Sequence, residues 1–72
     1  MPLTLTAPGE RATVCKLGGA AEMRNRLESL GFVPGAEVTV LTAAAENIVV
    51  NIKGSRIAVS PEAACKILVR KV

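Results

Sequence analysis

Few residues in this chain could do chemistry: two cysteines, six glutamates, and a pair of arginines on one predicted helix. Cys15 and Cys65 could act as nucleophiles or soft-metal ligands. Nucleophilic catalysis needs a neighbouring base, and the chain has no histidine, nor does any motif set a lysine beside a thiol. The carboxylates, Glu10, Glu22, Glu28, Glu37, Glu46 and Glu62, are dispersed, so no acid–base pair can be identified. A closed site for a transition metal draws on clustered Cys and His. Here the two thiols lie far apart in sequence and outside any CxxC spacing. Each is expected to be a small core residue, and they are only weak metal candidates. If they met in space they would supply half a site, to be completed by Glu or a second molecule. Gly18-Gly19 lacks the Lys-Ser/Thr continuation of a phosphate-binding loop and reads as a tight strand-to-helix turn. No catalytic constellation emerges, no cofactor is expected beyond weak transition-metal binding, and an enzyme is not expected.

Binding to a macromolecule is the remaining kind of function. Arg24 and Arg26 sit beside a corner formed by Leu30, Gly31 and Phe32, followed by Pro34 and Gly35. Arg56 lies on a later strand, and together these residues form the expected partner-binding set. The net charge of +3 permits an acidic partner, but the basic residues are scattered and form no run. Phe32 is the only aromatic residue, so the stacking platforms usual in single-strand binders are missing. A small-barrel nucleic-acid binder stands as an alternative, resting on net charge and fold size. A mean hydropathy of +0.41 in so short a chain implies exposed apolar surface for a partner or a second copy. The N-terminus lacks the charged start and long apolar run of a signal peptide. No apolar stretch approaches the roughly 20 residues needed to span a bilayer. The expectation is a cytoplasmic, single-domain protein with reduced thiols and no insertion into a membrane.

These residues must be positioned by a mainly β fold. Leu3 and Leu5 alternate with threonines, as in a short strand or extended lead-in, and Pro8-Gly9 marks a turn. Ala12–Leu17 has the β-branched character of a strand, with Val14 and Leu17 at an odd spacing that points to a bulge or edge. Ala20, Met23, Leu27 and Leu30 recur at helical spacing and predict one amphipathic helix. Its outer face offers two i,i+4 ion pairs, Glu22 with Arg26 and Arg24 with Glu28. Gly31 suits the left-handed position after the helix, with Phe32 folding back onto Leu27. Pro34-Gly35 predicts a type II turn. Further strands are expected at Val38–Leu41, Ile48–Ile52, Arg56–Val59 and Ile67–Val72, with a soft loop over residues 42–47. Ser60-Pro61 predicts the start of a single helical turn. Five or six short antiparallel strands with one inserted helix and a short helical turn close most economically as a partly open, SH3-like barrel.

In order and spacing the chain resembles the FeoA family. The shared pattern is an early Pro8-Gly9, then Gly18-Gly19, an arginine-bearing helix ending in Leu30-Gly31-Phe32-Val33-Pro34-Gly35, and Gly54-Ser55-Arg56-Ile57-Ala58-Val59. A closing segment from Glu62 to Val69 completes it. The resemblance runs from about residue 3 to residue 70. It implies an SH3-like barrel and a non-enzymatic accessory role in bacterial ferrous iron transport. The implied partner is the cytosolic GTPase portion of the FeoB membrane transporter. Because a related domain ends the DtxR-type repressors, it also implies a metal-binding or metal-sensing alternative.

Overall fold

The computed structural model describes residues 1–72, and its frame is one five-stranded antiparallel sheet. The chain runs through β1 (Arg11–Leu17), α1 (Ala21–Ser29), β2 (Glu37–Ala43), β3 (Ile48–Ile52), β4 (Ser55–Val59), α2 (Pro61–Ala64) and β5 (Ile67–Lys71). The strand order is β4-β3-β2-β1-β5, so the final strand returns to lie against the first. β4 and β5 are not hydrogen-bonded to one another, which leaves the barrel partly open.

Two irregularities bend this sheet. In β1 the pairing with β5 shifts between Val14 and Lys16, and in β2 the pairing with β3 shifts between Val40 and Thr42. An extra residue on one strand increases the local twist and resets the alternation of side chains. Beyond Cys15, Leu17 therefore turns inward against the core while Lys16 stays exposed. The odd spacing of Val14 and Leu17 thus has the bulge as its cause. The inner face is aliphatic, with Val14, Val38, Val40, Val50 and Val69 almost fully buried. Phe32 and Leu3 close this core as its largest fully buried side chains.

The N-terminal lead-in differs from its expectation. Leu3–Leu5 is a 3₁₀ turn, with Leu5 N–H donating to Pro2 O and Thr6 N–H donating to Leu3 O, each at 3.0 Å. A period of three, not two, puts Leu3 and Thr6 inside and leaves Leu5 66% exposed. The strand β2 runs on through Ala43, past the residues expected as loop, because the bulge at Leu41 lets the ladder with β3 continue.

Both cysteines depart from the core role expected of them. They are free and exposed. Cys15 is the extra residue of the β1 bulge and drops out of the inward alternation. Cys65 caps α2 at its C-terminal end, its thiol 3.0 Å from the carbonyl of Glu62.

Candidate docking surface

Helix α1 ends as its sequence requires. Leu30 is the C-cap, Gly31 takes φ +107°, and two bonds close the Schellman motif. Gly31 N–H donates to Glu28 O and Phe32 N–H donates to Leu27 O, both at 3.0 Å. A side chain at Gly31 would meet only ordinary contact with Ile52, so glycine is required there by the backbone and not by space. The next turn has the same logic: Gly35 takes φ +91° and Ala36 N–H donates to Val33 O at 2.9 Å. The chain is thereby driven from the helix into β2, and Gly35 N–H reaches back to Val14 O at 2.8 Å.

This corner sorts the expected partner-binding residues by exposure. Phe32 has no exposed surface, so its side chain belongs to the core and offers nothing to a partner. Leu30 is the apolar residue that reaches solvent, at 40% exposure, although the helical stripe had placed it inward. The stripe is narrow: Leu27 is buried, Met23 half-buried, and Ala20 exposed. Pro34 and Gly35 are exposed, with Gly31 half-exposed beneath them.

Arg24 and Pro34 meet across an open cleft of about 260 Å³ between the end of β1 and the helix. Lys16, Asn25 and Glu28 complete its polar lining. Lys16 was not singled out by its sequence context; only the bulge, by turning it outward beside the helix, brings it to Arg24. Neither cation has a carboxylate within salt-bridge distance, and neither expected i,i+4 pair on α1 closes. Holding two long, hydrated side chains together costs about as much as such an exposed pair returns. Two cations facing one glutamate leave the cleft with a net positive charge, open to an acidic group.

Arg26 is exposed on the same helix but does not line the cleft. Arg56 stands apart, over a shallow depression of about 440 Å³ floored by Leu41, Thr42 and Val49 on the outer face of the sheet. The expected set therefore divides into a helix-corner group and a lone arginine on β4.

Cys15 and Cys65 do not pair, and no three cysteine or acidic side chains gather into a set that could hold a metal ion. One carboxyl has a shifted acidity. Glu10 is held below its ordinary value of 4.5, first by the Ala7 N–H, which donates to its Oε1 at 2.7 Å. Lys71, whose Nζ lies 3.0 Å from its other oxygen, adds to the effect. Glu10 staples the Pro8-Gly9 turn to β5 and is structural. No helix is long and apolar enough to cross a membrane.

The family model of the FeoA domain matches residues 1–71. No curated protein matches the chain at a significant level. Among solved structures, an iron uptake regulatory protein (FeoA) superposes with a TM-score of 0.94 at 32% identity, covering 100% of this chain and 97% of that one. FeoA of Stenotrophomonas maltophilia, solved with zinc and described as a procaryotic SH3 domain protein, gives 0.86 at 25% identity, covering 97% and 89%. A manganese-dependent transcriptional repressor gives 0.91 at 23% identity, covering 100% of this chain but 41% of that one, a likeness of fold alone. The fold is thus SH3-like, and the chain belongs to the FeoA family, which takes part in ferrous iron transport.

Proposed function

We propose that this protein is a non-enzymatic accessory factor of ferrous iron transport that works by contact with the cytosolic GTPase portion of a FeoB-type transporter. The family match over residues 1–71 carries the transport role. The helix corner supplies the surface: Arg24 and Lys16 without acidic partners, Pro34 across the cleft, and Leu30 exposed at the C-terminal end of the same helix. An acidic, partly apolar patch on the partner would meet both cations and the exposed leucine, the combination that steers encounter and then excludes water. The reading makes the chain cytoplasmic.

Binding of the purified protein to that GTPase portion tests it. Saturable binding that weakens at least tenfold with Arg24→Glu and Lys16→Glu together supports the reading. Undiminished binding by that double variant moves the contact elsewhere, and the absence of binding by the unaltered protein sinks it. The metal-sensing alternative has no gathered set of ligands in its favour, and the nucleic-acid alternative has no exposed aromatic on which a base could stack, Phe32 being buried.

A further inference from the structure

The sheet has two edges, and they are treated differently. The outer edge of β5 is already covered by the N-terminal residues. Val69 N–H donates to Met1 O at 2.7 Å, the Met1 amine donates to Val69 O at 2.8 Å, and Pro2 bridges Leu68. The outer edge of β4 has no such cover.

The hairpin geometry says which groups β4 exposes. Lys53 and Gly54, at φ +51° and +80°, form a two-residue loop of the primed kind, which makes the flanking pair Ile52 and Ser55 a hydrogen-bonded one. Bonded and non-bonded pairs alternate along an antiparallel ladder. Ile57 and Val59 are therefore tied to β3, while the N–H and C=O of Arg56 and Ala58 point away from the sheet. No other backbone bond takes up these groups, and both residues are exposed. Unlike β1 and β2, β4 carries no bulge to turn its edge aside. An edge so left is a template for another strand.

We propose that this edge is a self-pairing surface, joining β4 to β4 of a second copy, antiparallel about a two-fold axis at Ile57. In that register Arg56 lies opposite Ala58 of the other copy, and Ala58 opposite its Arg56. These are the pairs whose N–H and C=O groups face outward, so four backbone bonds form without disturbing β3. The small Ala58 leaves room for the arginine beside it. Ile57, half-buried in one copy, meets its equivalent at the axis in the close, non-bonded position.

Charge complements this arrangement. Lys53, in no ion pair, lies at the hairpin end of β4, and Glu62 follows its other end in α2, while the two Arg56 side chains meet only on the diagonal and are long enough to turn to solvent. Antiparallel pairing brings the cationic end of one copy to the Ser60–Glu62 turn of the other, as a self-complementary interface requires. Two five-residue strands cover far less than the roughly 800 Å² per partner of a standard interface. The dimer is accordingly weak and forms only at high concentration.

The test is amide exchange and sedimentation of the full chain at physiological ionic strength, from about 10 µM to about 1 mM protein, a span that brackets weak association. Self-association is expected at the upper end, with exchange slowing at the Arg56 and Ala58 amides while Ile57 and Val59 are protected throughout. Ala58→Pro removes an outward N–H without touching the β3 ladder and should reduce association at least tenfold. Lys53→Glu, which sets a carboxylate against Glu62 of the other copy, should do the same and serves should the proline variant fail to fold. A monomer at about 1 mM, or a dimer that a folded Ala58→Pro or Lys53→Glu variant leaves intact, overturns the proposal. Protection of these two amides only when the transporter's GTPase portion is added also overturns it, by assigning the edge to a different chain.

Discussion

At the scale of single residues, the helix corner separates two roles that lie next to each other in the chain. Phe32 fills the core, and truncating it to alanine should cost about 3–5 kcal/mol, the usual range for a buried aromatic. That is a large share of the stability of so small a domain. Leu30→Ala, two residues earlier, should change stability by less than about 0.5 kcal/mol yet weaken binding to the transporter. Chemical denaturation of the two variants checks the contrast. Gly31→Ala should cost about 1–2 kcal/mol through its left-handed backbone alone, since Ile52 leaves room for a methyl group. The corner's conformation was legible in the sequence because glycine, proline and a following apolar residue each act locally. Phe32's burial was legible with it, in the fold-back onto Leu27, but the exposure of Leu30 was not: how the helix end meets β3 is a contact distant in sequence. The thiols were misread for a similar reason, since a bulge and a cap, not residue type, put Cys15 and Cys65 at the surface.

At the scale of elements, the bulge in β1 couples fold to site. One extra residue sends Leu17 to the core and leaves Lys16 for the cleft, so the cationic pair with Arg24 is a consequence of strand geometry. An odd apolar spacing announces a bulge, but only the helix packed beside it shows what the displaced lysine would meet. The short helix α2 is pinned by Ser60, whose hydroxyl accepts from Ala63 N–H at 3.2 Å, and Ser60→Ala should cost about 1 kcal/mol in thermal or chemical unfolding. The first turn offers a test by pH. Glu10 has a folded-state pKa below its unfolded value of 4.5, so its contribution is present above that value and is lost as pH falls through the lower one. Glu10→Gln should therefore flatten the acid limb of the stability profile below about pH 4.5 and leave the neutral-to-alkaline part level.

For the whole molecule, a mean hydropathy of +0.41 led to the expectation of substantial exposed apolar surface. The large exposed apolar side chains are Met1, Leu5, Leu30 and Val72, mostly near the termini, and Leu30 alone belongs to the helix that lines the cleft. The apolar content goes chiefly into the aliphatic core of a chain whose only aromatic is Phe32. A docking surface built from two cations and one leucine should be salt-sensitive, because exposed charges are screened within about 8–10 Å at physiological ionic strength. The places of the five strands along the chain followed from alternation and turn residues, whereas their order in the sheet and the division of the arginines between two faces needed the folded structure. The most direct measurement is a backbone-amide NMR titration of the labelled protein with the GTPase portion of the transporter. Saturable shifts centred on Lys16, Arg24 and the Leu30–Gly35 corner, lost with Arg24→Glu, are the result predicted by docking through this surface. A flat titration at saturating concentration, or shifts confined to other faces of the barrel, would contradict it.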